Sequence, residues 1–165
     1  MRVAPRTSVA IVAERRRPLP HGARGSGLRR SATIATVVRG ASRLRAYSVH
    51  LPSPLAISGG SRKHELRVLA EDASASADPV VILGDFNSHD KVEELERAGL
   101  RWLTPKLGHT TQFKLLGFIP MWMSYDHVIT KRLRLAVGQN VLGIVADNRG
   151  ASDHRPIWAV LALDD

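Results

Sequence analysis

Cysteine is absent from the 165 residues, which excludes disulfides, a thiolate metal site and a cysteine nucleophile. The absence agrees with a reducing compartment, and the cytoplasm is the expected location. Aromatic residues make up only 5%. None interleaves with the basic run near the start, so base stacking is not indicated. No apolar run approaches the ~18 residues of a membrane span, and no signal-peptide core is visible. Acid is scarce at one end. Residues 1–50 hold eleven arginines and one acid, Glu14, while the remainder holds thirteen basic and fourteen acidic side chains. The net charge of +9 therefore comes from the first third. Such a surplus suits a polyanion such as nucleic acid or phospholipid. It equally suits a solubilised, partly ordered start.

The length fits one domain. Residues 1–30 read as a basic Pro/Gly/Arg-rich segment, with one weak apolar run at Val9–Ala13 and an exposed loop from Arg15 to Arg30. Residues 31–165 read as the domain. Ala32–Val38 and Leu44–Leu51 read as strands joined by a turn at Gly40. These strands inside the basic region argue against a cleaved organellar leader. Leu66, Leu69 and Ala70 repeat at helical spacing behind a cap candidate, Ser61. "PVVILG" is a continuous apolar run, expected to be a strand buried on both faces. "SHDKVEELERAG" reads as a short helix from a Ser88 cap to Gly99. "SYDHVIT", "LRLAVGQNVLGIV" and "RPIWAVLAL" read as three later strands. The layout is mixed α/β, with sheets and helices packed outside.

Several strands end in acid, amide or imidazole. These are His50 in "YSVHLP", Asp85 and Asn87 in "GDFN", Asp126 in "YDHV", and Asp153 with His154 in "SDHRP". Singly, each has an ordinary explanation. His50 suits a structural histidine, Asp85 a cap, Asn87 a turn amide and Ser152 a turn before Asp153. Asp126 in an apolar strand is costly without a partner, and alternation sends Asp126 and His127 to opposite faces. Together, three carboxylates, one amide and two imidazoles suit metal-assisted phosphate chemistry. Carboxylates hold Mg²⁺ or Mn²⁺ with several waters retained. An amide orients a phosphate oxygen, and a carboxylate-oriented histidine serves as acid, base or charge stabiliser.

In order and spacing, "LRAYSVHLPSP", "GDFN", "YDHV" and "SDHRPIWAVLAL" resemble the endonuclease/exonuclease/phosphatase superfamily over about residues 31–163. That superfamily includes DNase I-like nucleases, inositol polyphosphate phosphatases and neutral sphingomyelinases. The resemblance implies a fold of two packed mixed β-sheets flanked by helices, DNase I-like. It implies a divalent-metal-dependent hydrolase of phosphate esters, acting by in-line water attack. Asp85 would activate the water and contact the metal, Asn87 would hold the scissile phosphate, and Asp126 would orient His154. Asp153 would bind Mg²⁺ or Mn²⁺, and His50 would contact phosphate or the leaving group. Which histidine acts as acid or base stays open, as does the substrate among DNA, RNA, phosphoinositide and phospholipid headgroups.

The pattern also departs from the superfamily. Members usually carry an Asn-bearing strand and a metal-binding Glu well upstream of the histidine strand. Here Glu14 is the single acid before His50, and its context reads as loop. The expectation is the C-terminal part of the fold, without N-terminal strands and with an incomplete metal site. The alternative is a non-catalytic truncated or degenerate member that retains a basic polyanion-binding surface. An unrelated metallophosphoesterase would need more His-rich motifs.

Overall fold

β1 (Val9–Gly22), β2 (Arg29–Arg39) and β3 (Ser42–His50) form an antiparallel meander in a computed structural model that describes residues 9–88, 92–115, 118–146 and 151–164. Helix α1 (Gly59–Ser74) then crosses back to β4 (Val80–Asp85), which runs parallel to β3. β8 (Asp126–Lys131) lies antiparallel to β4, and β5 (Arg101–Trp102) closes the sheet in the order β1-β2-β3-β4-β8-β5. Alternation along the central strands sends side chains to two cores. Tyr47, Val49, Val80 and Ile82 face α1 and the short α2 (Glu93–Arg97), together with Leu66, Leu69 and Phe86. Val81, Val128 and Leu133 face the other way, against Ile157, Ala159 and Leu161.

That second layer is built of paired strands. β9 (Leu133–Leu135) pairs with β12 (Leu161–Leu163), and β10 (Leu142–Ile144) pairs with β11 (Ile157–Ala159). A third pair joins β6 (Thr111–Leu115) to β7 (Ile119–Met123). The expected single strands over 133–145 and 155–163 are thus each two. Gly138 (φ +143°) and Asn140 (φ +54°) break the first at a turn. The second changes partner at Val160, whose N–H still bonds to the Val141 carbonyl beside β10 while its own carbonyl accepts the Ala136 N–H beside β9. β5, β6 and β7 carried no expectation. Burial of β4 on both faces holds as far as Ile82, but Leu83 is 42% exposed. The second layer packs on Val81 and leaves Leu83 open.

The larger correction concerns the basic start. Arg15, Arg16 and Arg17 do not lie in a loop but pair with Ile34, Thr33 and Ala32. β2, rich in β-branched residues, offers a ladder edge, and backbone pairing overrides the Arg-Pro composition. Pro18 stands where the register shifts, a place that tolerates a missing N–H. Leu19 is buried in the helix-side core, and Arg15 makes two bonds of 2.6 and 2.7 Å to Asp72 on α1. Val9, Ile11 and Val12 remain exposed on this edge strand.

Helix starts also shift. Ser58, not Ser61, caps α1, its Oγ accepting the Ser61 N–H at 3.1 Å. α2 begins at Glu93 after Val92, with no side-chain cap. Ser88 is buried instead, and the intervening His89, Asp90 and Lys91 lie outside the described residues. On α1 the expected apolar stripe extends into two charged residues, Arg62 and Glu65, that are as buried as the leucines.

Glu65 is fully buried. Burial lifts its carboxyl to about 7, with the Arg62 charge and the His21 backbone N–H offsetting only part of that effect. Its ordinary value is 4.5, so the native state holds a proton that the unfolded chain releases between these values. Stability contributed by this group is full below the lower value and falls as pH rises through the window, by a few kcal/mol on the order of 1.4 per unit. Glu65→Gln should therefore stabilise the fold at pH 8 and lose its advantage below pH 5, as read from urea midpoints across pH.

Candidate active site

Three strands of the central sheet end level, and the ladder register is the reason. His50 pairs with Asp85 across β3 and β4, and Asp85 pairs with Asp126 across β4 and β8. Cross-strand partners share a face, so the three side chains stand side by side on the second-layer face. His127, next in sequence to Asp126, goes to the opposite face as expected. It is buried against Phe86 and Trp102, donating from Nε2 to the Ser88 carbonyl at 2.7 Å. Gly84 permits the close approach of β3 and β4, since a Cβ there would stand 2.0 Å from the Val49 carbonyl oxygen.

Asp85 is the hub. Its Oδ1 accepts the Asn87 backbone N–H at 2.7 Å and its Oδ2 accepts from Asn87 Nδ2 at 3.0 Å. Nδ2 also donates to the Leu51 carbonyl at 2.9 Å. Asn87 takes φ +47°, a left-handed conformation that asparagine tolerates well. Both amide hydrogens are therefore engaged, and a phosphate contact from Nδ2 requires exchange of one of these bonds. His50 Nε2 lies 3.5 Å and His154 Nε2 3.8 Å from Asp85 Oδ2.

His154 Nδ1 donates to Asp126 Oδ2 at 2.8 Å. The ring thus stands between two carboxylates, one nitrogen toward each. Its segment is docked on the start of β6: the Arg155 N–H bonds to the Thr110 carbonyl at 2.7 Å, and the Gln112 N–H to the Asp153 carbonyl at 2.8 Å. Ser152 Oγ accepts the His154 N–H at 3.0 Å. Two threonines, absent from the sequence expectation, complete the arrangement. Thr110 Oγ1 accepts the Tyr125 and Asp126 N–H groups, each at 3.1 Å. Thr111 Oγ1 lies 3.4 Å from Asp126 Oδ2 and 3.3 Å from His154 Nδ1. Their only trace in the sequence is an adjacent hydroxyl pair after His109.

The electrostatics follow from these distances. Burial raises the Asp85 pKa, against the Asn87 N–H bond and the neighbouring imidazoles; Asp126 adds to the rise. For His154, burial opposes protonation. The Asp126 hydrogen bond and the charges of Asp126, Asp85 and Asp153 outweigh it, so its pKa is raised. Asp153 itself is exposed, with Ser152 Oγ at 3.5 Å. No group of three His, Cys, Asp or Glu side chains suited to a metal occurs among the described residues. Asp85 and Asp153 are oxygen donors of the kind that hold Mg²⁺ with most of its waters retained. A cavity of about 560 Å³ opens beside Asn87, with Arg62, Lys63, Leu66 and Tyr125 in its walls.

A sequence model of the endonuclease/exonuclease/phosphatase family matches residues 5–154. Among curated protein sequences none matches. Solved structures do. An endonuclease/exonuclease/phosphatase family protein from Bacteroides thetaiotaomicron superposes with TM-score 0.70 at 18% identity, over 94% of this chain and 64% of that one. D. rerio TDP2, complexed with a single-strand DNA product, gives TM-score 0.68 at 17% identity, over 93% and 68%. A mannosyl-6-phosphatase from Bacteroides thetaiotaomicron gives TM-score 0.65 at 17% identity, over 94% and 67%. The chain thus spans about two thirds of each of these proteins' length, and the likeness is one of fold. It agrees with the expected two-layered, helix-flanked architecture.

Asp126→Asn removes the charge and the acceptor that favour imidazolium at His154. The ring pKa of His154, followed by NMR in metal-free buffer, should fall below its wild-type value. An unchanged titration would mean that Asp126 does not govern this histidine.

Proposed function

The chain belongs to the endonuclease/exonuclease/phosphatase family, and from that premise we propose that it hydrolyses phosphate esters at the tips of β3, β4 and β8. One observation carries the reading: Asp85, His154 and Asp126 form a connected series, with His50 on the flank of Asp85. Water placed against Asp85 gives up its proton to the carboxylate, while its oxygen bonds to phosphorus in line with the leaving oxygen. Burial makes Asp85 a stronger base than an exposed aspartate. The imidazolium of His154, held charged by Asp126, offsets the negative charge on the phosphoryl oxygens. As the P–O bond breaks, the leaving oxygen takes a proton from a histidine at the rim, either His50 or His154. Members of this family generally use divalent metals. Mg²⁺ or Mn²⁺ held by Asp85 and Asp153 would supply further charge neutralisation at the phosphoryl oxygens.

A second reading, binding without hydrolysis, is favoured by the lack of a three-donor metal group among the described residues. Asp85→Asn decides between them. With saturating Mg²⁺ or Mn²⁺ and bis(p-nitrophenyl) phosphate as substrate, the wild-type rate should vanish with EDTA. Asp85→Asn should lose about 10²–10⁴-fold, a usual range for general acid–base groups. Adding His154→Ala should cost far less than the product of the two single losses, since both serve one transition state. No wild-type rate, or one indifferent to Asp85→Asn, would overturn the hydrolase reading at this site, whereas a rate that survives EDTA would overturn only the metal requirement.

The substrate class follows from the distribution of charge. β1 ends and β2 begins at the same edge as His50, because Gly22 pairs with Arg29 and Thr33 with Ser48. Arg24 and Arg29 are exposed there, and the Arg24 N–H bonds to the Ala56 carbonyl in the loop after β3. These cations extend the site's edge toward a polyanionic substrate, for which nucleic acid is the reading preferred here. Affinity for single-stranded DNA should fall steeply with salt. Replacing Arg24 and Arg29 with Ala should flatten that slope, whereas Arg39→Ala at the far edge should leave it as it was.

A further inference from the structure

Arg62 is charged, yet it is only 6% exposed. It projects from the first turns of α1, and both terminal nitrogens of its guanidinium are committed. One donates to the Pro52 carbonyl at 2.5 Å and the other to the Phe86 carbonyl at 2.7 Å. These are particular carbonyls. Pro52 lies two residues beyond His50, and Phe86 lies between Asp85 and Asn87. The β3–β4 ladder ends at the His50–Asp85 pair. Beyond it the two chains remain joined by the Leu51 N–H to the Asp85 carbonyl at 2.8 Å, and by Asn87 Nδ2 to the Leu51 carbonyl. The guanidinium is the next link outward. It crosses from one exiting chain to the other where no strand hydrogen bond does so.

We infer that Arg62 is a positioning residue of the phosphoester site: its guanidinium fixes the chain exits that carry His50, Asp85 and Asn87. Three physical points support this assignment. First, both Pro52 and Phe86 are buried, so solvent is poorly placed to donate to their carbonyls in place of Arg62. Second, a planar guanidinium with two donors fixes the separation and the angle of its acceptors, which an ammonium cannot do. Third, the side chain belongs to α1 and not to either strand. It therefore references the site to the helix layer, whose leucines pack under β4. Glu65 lies one turn along on the same buried stripe, and its charge, when ionised, opposes the lowering of the Arg62 pKa by burial. Arg62 does not touch substrate in this role, and its hydrogen bonds end on backbone.

The inference rests on the hydrolase reading for its kinetic part alone, so its test has two arms. In the first, NMR follows the Asn87 side-chain amide and the His50 ring in the full chain, without substrate. In the second, kcat and KM are measured on bis(p-nitrophenyl) phosphate with saturating Mn²⁺. Both are run well below the melting temperature of each variant. Arg62→Ala should move the Asn87 and His50 signals. It should also lower kcat by about 10- to 100-fold, the scale of a small misplacement of reacting groups, with KM unchanged. Low-millimolar guanidinium ion should restore both readouts. Arg62→Lys, which keeps the charge but not the two-pronged geometry, should resemble Arg62→Ala without rescue and carries the test if Arg62→Ala does not fold. Arg67→Ala, exposed on the same helix, should change neither. A lower melting temperature with unmoved Asn87 and His50 signals and an unchanged kcat would overturn the inference and leave Arg62 a stabilising residue only. An inactive wild type would instead sink the hydrolase reading, and the NMR arm would still decide the role of Arg62.

Discussion

The close approach of β4 to β3 at Gly84 is the constraint from which the rest of the site follows. A side chain there would meet the Val49 carbonyl oxygen, and the backbone takes φ +135°, which L side chains rarely adopt. With glycine in place, Asp85 comes level with His50 on one side and with Asp126 on the other. One residue of slip in either ladder would turn Asp85 or its neighbour to the opposite face. The apolar runs resist such a slip, because Val80 and Ile82 belong to the helix-side core while Val81 belongs to the other. Hydrophobic register and the register of the proposed site are thus one and the same.

The two layers contribute differently. The central sheet supplies His50, Asp85 and Asp126 from strand ends, with little freedom. The second layer supplies His154 through the docking of residues 153–155 on the start of β6. Thr110 and Thr111 join the halves: one hydroxyl satisfies the backbone entering β8, and the other stands between Asp126 and His154. Buried polar groups of this kind are costly unless paired, and here the Asn87 amide, the Tyr125 and Asp126 N–H groups and His154 Nδ1 all have acceptors. The pairing holds the arrangement in place, which the proposed in-line attack at phosphorus would require.

Charge is distributed to suit the same chemistry. Asp85 is withdrawn from solvent and flanked by two imidazoles, so burial and neighbouring charge pull its protonation in opposite directions. His154 is the reverse case, a partly buried ring whose carboxylate neighbours overcome its desolvation. Outside this cluster, the arginines of β1 and β2 place positive charge along one flank of the sheet. Arg15 is an exception, being tied to Asp72 on α1 and so serving the packing of the edge strand.

Much of this was legible in the residues themselves. Motifs at strand ends mark His50, Asp85, Asn87, Asp126, Asp153 and His154 as candidates, because an acid or imidazole after an apolar run has few inexpensive explanations. The β2–β3 hairpin, α1 and the β4 strand were likewise visible in period and turn chemistry, which are local properties. The misreadings share a cause. β1 forms because β2 offers a ladder edge, and nothing inside "RRRPLPHG" announces its partners in the next strand. Arg62 and Glu65 sit on the apolar stripe of α1, but their charge hides it; only the carbonyls of Pro52 and Phe86, brought by other segments, make burial of Arg62 tolerable. Thr110 and Thr111 gain meaning only once β6 meets residues 153–155. The sequence by itself determined which side chains could do phosphate chemistry and which strands would carry them. Tertiary structure alone decided their alignment, because strand pairing is non-local and side-chain alternation says nothing about which residue stands opposite.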